Sequence, residues 1–351
     1  MYDLTKMCSD NLYIRHLRLT SKYDIIIKVY CVCQSLIVRK TMNSKIQTLA
    51  DSIGKVIVGK NDTVIRLIAA LLCEGHVLLE DVPGVGKTQM ITALSRSIGG
   101  KFNRIQLTPD VMPSDIAGFT MLDGKSGEFI YRDGAVMCNF LLADEINRAS
   151  PKVQSALLEA MEERQISLDG ETHKLPQPFL VMATQNPVET YGTFHLPEAQ
   201  MDRFFMKLSM GYPVPEEEMK ILDRTEKHNP INNITEPAMH VDDVIAMQED
   251  VRNVRVSDSV KKYIVDIVGS TRDDRNATLG ISPRGSIALY KAAKAFAYIY
   301  EREYVTPDDV KTAAVSVLAH RIILSPQGKS EFGTGENYIK HVIENTPVPA
   351  M

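Results

Sequence analysis

Two short runs in this chain hold residue types whose order implies phosphate chemistry. The first is Asp81-Val82-Pro83-Gly84-Val85-Gly86-Lys87-Thr88. Glycines let a backbone fold tightly enough for successive N–H groups to converge on an anion. A helix beginning at Lys87 would add the positive end of its dipole. The Lys87 ammonium can reach the outer phosphates of a nucleotide, and the Thr88 hydroxyl can hold Mg²⁺. The run departs from the general phosphate-loop pattern at its first position, where Asp81 stands in place of Gly.

The second run is Phe140-Leu141-Leu142-Ala143-Asp144-Glu145. An apolar strand ending in two carboxylates presents them at the edge where parallel sheets bind ligands. Asp144 would hold Mg²⁺ through its water shell, and Glu145 would polarise the water that attacks the γ-phosphate. A third stretch, Phe179–Pro187, is an apolar strand ending in Thr184, Gln185 and Asn186. Asn186 could position the lytic water beside Glu145. Taken singly, an Asp-Glu pair after a strand commonly opens a solvated loop, and Asn before Pro commonly forms a turn. Their order behind the glycine loop gives both their weight.

These residues need a parallel sheet to carry them. Val77–Leu79 reads as a buried strand, and Met90, Ile91, Leu94 and Ile98 mark the helix after the loop, stopped by Gly99-Gly100. Further strands are expected at Ile105–Leu107, Phe140–Ala143, Phe179–Ala183 and Phe205–Leu208, alternating with helices as in α/β folds. Asp123-Gly124 and Asp169-Gly170 place inserted β-hairpins at Phe119–Tyr131 and Gln165–Lys174. Two helices precede the glycine loop, the second capped by Asn61 or Asp62. Pro213 and Pro215 mark a linker, after which helix starts dominate at Ser257, Ser282-Pro283 and Thr306-Pro307. The expected organisation is an N-terminal extension over 1–42, a nucleotide-binding core over 43–212, and a linker with a helical domain over 213–351. The polar tail Glu331–Met351 is expected to fray.

Composition excludes several classes. Of 351 residues, 44% are hydrophobic and 24% charged, which is ordinary for a globular chain and long enough for two domains. The net charge is −4, but residues 1–42 carry seven Lys/Arg against three Asp, leaving −8 for the rest. A body of that sign, without a basic stripe interleaved with aromatics, argues against nucleic acid as partner. The extension reads either as a loosely ordered leader upstream of Met42 or as a basic docking arm. Five cysteines form no disulfide framework and fit a reducing compartment. No apolar run is long enough to span a membrane, so a cytoplasmic location is expected.

The motifs together resemble the MoxR family of AAA+ ATPases. The resemblance rests on Asp81–Thr88, Ala143–Ala149 (ADEINRA), Leu157–Arg164 (LLEAMEER), Ala183–Pro187 (ATQNP) and Leu196–Phe204 (LPEAQMDRF). Arg104–Asp110 and Pro113–Gly118 match it too, and the likeness runs from about Ser44 to about Leu324. It implies a P-loop core, a helical lid and a ring, usually hexameric, with ATP and Mg²⁺ between subunits. It makes Asn186 the sensor-1 residue, Arg203 an arginine finger for the neighbouring subunit, and Arg284 the sensor-2 residue. It also sets the two hairpins on the pore side. As partners it implies protein substrates, with von Willebrand factor A (VWA) domain proteins foremost. Lys60, where the family commonly has Gln, and Gly134-Ala135-Val136-Met137, where it often has Gly-Pro-Val-Phe, depart from its pattern. A nucleic-acid motor of the same clade and a non-hydrolysing nucleotide switch are the alternative functions. Glu145, Asn186 and Arg203 together argue against the switch, which needs no activated water.

Overall fold

The three inner strands of the central sheet are apolar at both odd and even positions, the pattern of a sheet covered on both faces. The computed structural model describes residues 42–82, 84–125, 127–185, 193–194, 196–227 and 229–349; the extension, Pro83 and Asn186 lie outside them. Strands β1 (Val77–Glu80), β2 (Phe102–Gln106), β5 (Phe140–Asp144), β8 (Leu180–Gln185) and β9 (Met206–Leu208) form one parallel sheet in the order β2-β5-β8-β1-β9. Register sets Leu78 beside Ala183 and Leu142 beside Met182, so side chains alternate between two cores. Val77, Leu79, Phe140, Leu142 and Met182 face one core; Leu78, Leu141, Ala143, Val181 and Ala183 face the other.

The first core is built with helices α1 (Ser44–Gly54), α2 (Asn61–Leu72) and α3 (Lys87–Ile98). Asn43 caps α1 through its side chain, accepting from the Lys45 N–H at 3.0 Å. At α2 the expectation of an Asn61 or Asp62 cap is corrected. Lys60 occupies the cap position without a side-chain cap bond, its Nζ donating instead to the Tyr212 carbonyl at 3.0 Å. The second core is closed by α5 (Pro151–Glu163), after the short helix α4 (Pro113–Ala117). Both hairpins are present: β3 (Gly118–Leu122) pairs with β4 (Phe129–Asp133), and β6 (Gln165–Leu168) with β7 (Glu171–Lys174). The Tyr131 and His173 rings stack at 3.9 Å and join the two hairpins.

Beyond α6 (Glu198–Met201) and β9, the chain turns helical with α7 (Pro215–Lys227), α8 (Val241–Asn253), α9 (Asp258–Ser270), α10 (Pro283–Ile299) and α11 (Pro307–Leu318). The expected caps hold: Ser257 Oγ accepts from the Val260 N–H at 3.3 Å, and Asp309 accepts from the Thr306 N–H at 2.9 Å. Two features differ from the sequence reading. A small antiparallel pair, β10 (Ala277–Leu279) with β11 (Ile323–Leu324), interrupts the helices. The tail does not fray over its whole length, because α12 (Pro326–Phe332) and α13 (Gly335–Asn345) fold back and bury Tyr338, Ile339 and Val342. An apolar face at Tyr338, Ile339 and Val342 has helical spacing that outweighs the polar composition around it. These helices share the first core with α1 and α2, and Gln248 Nε2 donates to the Leu71 carbonyl at 2.8 Å.

Candidate functional site

At the C-terminal edge of the sheet, β1 runs through Asp81 into the glycine loop and then α3. Gly84 and Gly86 take φ of +86° and +93°, a region that L side chains rarely enter. Gly86 stands at the cap of α3 and brings no side chain of its own, so the first-turn amides face the loop. Lys87 Nζ donates to the Asp81 carbonyl at 3.0 Å. Thr88 follows in the first turn of α3, half-buried, as is Val85; Val82 is half-buried before the glycines. The Asp81 side chain does not point at a ligand. Its buried carboxylate accepts from Ser209 Oγ at 2.8 Å and from the N–H groups of Met210 and Gly211 at 2.5 and 3.1 Å. Its carboxylate ties the loop to the segment after β9, and its carbonyl meets Lys87.

Asp144 ends β5 on the same edge. Its carboxylate accepts from Thr184 Oγ1 at 2.5 Å and pairs with Arg104 Nη2 of β2 at 2.8 Å. Thr184 also accepts from the Glu145 N–H at 2.9 Å. One hydroxyl thus fixes both carboxylate residues to β8. Glu145 sits at φ 58°, ψ 54°, a left-handed conformation uncommon for a non-glycine residue. Such backbone costs about 1–3 kcal/mol and persists where surroundings hold it; the Thr184 bond is one such restraint. Arg148 Nη1 reaches Glu145 Oε2 at 3.1 Å.

Arg203 and Arg284 lie elsewhere. The Phe205 N–H donates to the His76 carbonyl at 2.8 Å, so Arg203 precedes the start of β9 at the N-terminal edge. Arg203 Nη1 pairs with Glu162 Oε2 at 3.0 Å, and Arg284 Nη2 with Glu162 Oε1 at 2.5 Å. Behind them, Arg321 is almost wholly buried and holds Asp202 Oδ1 at 2.8 Å, while Ser282 Oγ holds Oδ2 at 2.9 Å. Burial lowers the Arg321 pKa to about 10 against the opposing pull of Asp202, so it remains charged at neutral pH. His76 anchors this edge. It accepts from the Val181 N–H at Nδ1 (3.0 Å) and therefore donates from Nε2 to the Met161 carbonyl (2.9 Å). Burial lowers its pKa to about 4, which keeps it neutral.

The sequence reading placed Lys87, Thr88, Asp144 and Glu145, and the structure brings all four to one edge. It separates Arg203 and Arg284 from them, and Asn186 falls outside the described residues. Arg104, Arg148, Thr184, Glu162, Asp202 and Arg321 were not assigned contacts. Arg148 pairs locally with Glu145, three residues before it; the others act across the fold, where no local spacing encodes the pairing. Burial pushes the Cys73 and Cys138 thiols up to about 12, which removes them as nucleophiles.

Comparison with known proteins agrees with this geometry. Residues 76–206 match the ATPase family associated with various cellular activities (AAA), and residues 269–339 match the AAA lid domain. A glycine loop and a strand-end Asp-Glu on one sheet edge, followed by that lid, define an AAA+ ATPase. Chaperone MoxR1 of Mycobacterium tuberculosis is 42% identical over 312 residues, covering 85% of this chain and 81% of that protein. The uncharacterized protein YeaC of Bacillus subtilis is 53% identical over 301 residues, 86% of this chain and 94% of its own. A crystal structure of a candidate ATPase from Cytophaga hutchinsonii superposes with a TM-score of 0.82 at 36% identity, covering 92% of this chain and all of that one. The chain belongs to the MoxR family of AAA+ ATPases.

Proposed function

We propose that this ATPase works as an oligomeric ring, a hexamer by family resemblance, in which ATP turnover remodels bound protein partners. The observation that carries the catalytic half is that Lys87, Asp144 and Glu145 lie on one edge of the sheet. In that reading the backbone N–H groups of Val82 and Gly84–Thr88 and the Lys87 ammonium hold the phosphates. Mg²⁺ is held by the Thr88 hydroxyl and, through water, by Asp144. Hard oxygen donors of this kind suit Mg²⁺, which takes its remaining ligands from phosphates and water. Bound Mg²⁺ supplies charge neutralisation at the β- and γ-phosphates. Glu145 orients and deprotonates the lytic water, with Asn186 beside it. Arg203 neutralises charge on a phosphoryl group held by a second copy.

A protein partner is favoured by the β3–β4 hairpin. Phe119, Leu122 and Phe129 on it are 49, 55 and 77% exposed, and an apolar patch of that kind marks a protein contact. The relative named as a chaperone adds weight to the same reading, and VWA-domain proteins are the partner class the family resemblance suggests. No helix among the described residues is long and apolar enough to cross a membrane.

Nucleotide binding of Lys87→Ala tests the core of this reading. Tight ATP binding is expected to be lost with the fold intact, and normal binding and hydrolysis would refute the phosphate-loop role. Stimulation of turnover by a VWA-domain protein, with none by DNA, is the expected outcome for the partner class; the reverse would favour the nucleic-acid motor.

A further inference from the structure

The two arginines share one carboxylate, and that carboxylate has no role in the function proposed above. Glu162 lies in the last turn of α5 and offers Oε2 to Arg203 and Oε1 to Arg284. Two guanidiniums this close repel each other unless an anion lies between them. Arg203 is further tied to the Leu158 carbonyl at 3.3 Å, one turn earlier on the same helix. The position of α5 is in turn fixed by His76, whose Nε2 meets the Met161 carbonyl next to Glu162.

This group faces away from its own phosphate loop. β1 has four residues, from Val77 beside His76 to Glu80 beside Asp81. At about 3.3 Å per residue its end Cα atoms are roughly 10 Å apart, and Arg203 and Arg284 lie at the opposite end from the loop of their own copy. A cleft of about 200 Å³ opens beside them, and its wall carries five cationic side chains against three carboxylates. The adjoining cleft past α5 is lined by Glu159, Glu162 and Glu163 against Arg203 alone, a net negative wall that disfavours an anion.

We infer that Glu162 is a positioning residue: it holds Arg203 and Arg284 as one paired cation that is presented to the polyphosphate of a second copy. A phosphate has more charge than a carboxylate and takes over the two forks when it arrives. Glu162 sets their separation and direction beforehand, which is what preorganised charge stabilisation requires. Arg284 therefore serves the same foreign site as Arg203. The inference rests on the reading of Arg203 as a finger acting on another copy.

The experiment places Glu162→Gln in one kind of subunit at a time. Glu145→Gln subunits have intact arginines and a dead site; Arg203→Ala subunits have an intact site and lack the finger. Their mixture should regain turnover. With Glu162→Gln or Arg284→Ala added to the Glu145→Gln subunits, the regained kcat should fall about tenfold or more, with KM for ATP little changed. Adding Glu162→Gln to the Arg203→Ala subunits should have a much smaller effect. Glu162→Asp, too short to meet both forks, should be intermediate in the first arrangement. Circular dichroism and melting confirm that the half-exposed site tolerates each change. If the mixture regains nothing while subunits exchange, the finger reading fails and the inference with it. If turnover returns but the loss follows the Arg203→Ala subunits, or no loss occurs, Glu162 alone is misassigned.

Discussion

The two edges of the central sheet are built by different means. At the C-terminal edge the decisive groups are close in sequence. Gly84, Gly86, Lys87 and Thr88 fall within five residues, and Asp144 and Glu145 are adjacent. Local backbone rules position them: glycine at positive φ, a helix start, a strand end. At the N-terminal edge, Glu162, Arg203, Arg284 and Arg321 come from four separate elements. Only tertiary packing brings them together. The first edge can bind and activate but holds no arginine finger; the second holds arginines but no phosphate loop. Turnover should therefore respond differently to damage at each edge.

Damage to the N-terminal edge gives the largest expected effect. Arg203→Ala should lower turnover by about 10³-fold, as with other arginine fingers, which is about 4 kcal/mol. Equilibrium binding of ATP should be nearly unchanged, since its own loop is intact. Comparable loss of binding and turnover would erase the distinction between the edges.

Next is the support beneath it. Arg321→Leu leaves Asp202 without its cation and takes the guanidinium donor away from the carbonyls of Phe204 and Phe205. Breaking a buried pair on one side costs about 3 kcal/mol or more, read from urea midpoints. A change under 1 kcal/mol would mean that Asp202 is held well enough by Ser282 alone.

At the C-terminal edge, Glu145→Gln keeps the size and the Thr184 bond to its N–H but cannot take a proton. A fall in kcat on the order of 10²-fold with ATP binding retained is expected. Near-normal turnover would move the base elsewhere. Because Arg148 reaches the same carboxylate at 3.1 Å, the Gln variant should also loosen that contact.

The smallest effect is a pH dependence. His76 titrates near 4 in the folded chain, against 6.5 unfolded. As pH falls through 6.5, the unfolded chain takes up a proton that the folded one refuses, so stability falls. The loss at pH 5.5 is about 1.4 kcal/mol from this group. His320, buried against the Phe204 carbonyl and beside Arg321, is lowered for the same reason and adds in the same direction. Denaturation at pH 7.5 and 5.5 should show the loss, and His76→Gln should flatten it. An equal slope in the variant would remove His76 as a source.

The contrast also explains what could be read in the sequence. The period-2 and period-3.6 patterns located the sheet, both hairpins and most helices, because each is a local pattern with a physical period. They failed at α13, where polar composition hid Tyr338, Ile339 and Val342 on one face. Lys87, Thr88, Asp144 and Glu145 were legible because phosphate chemistry demands them at fixed spacing. At Asp81 the sequence showed only a departure from the motif; Ser209, Met210 and Gly211 hold its carboxylate from 128 to 130 residues away, which no local pattern encodes. Thr184 was visible as a polar strand end, but its double bond to Asp144 and Glu145 follows only from the β5–β8 register. Glu162 lay within the Leu157–Arg164 motif, but its pairing with Arg203 and Arg284 follows only from tertiary packing.

The central claim is that one copy supplies the phosphate loop and another the arginines. Mixing Glu145→Gln and Arg203→Ala subunits tests it most directly. Each alone should be inactive, and the mixture should hydrolyse ATP in proportion to the heterologous contacts formed, because loops of the second kind meet fingers of the first. A mixture that stays inactive while subunit exchange is demonstrated by a fluorescent label would contradict the account and leave Arg203 a structural partner of Glu162.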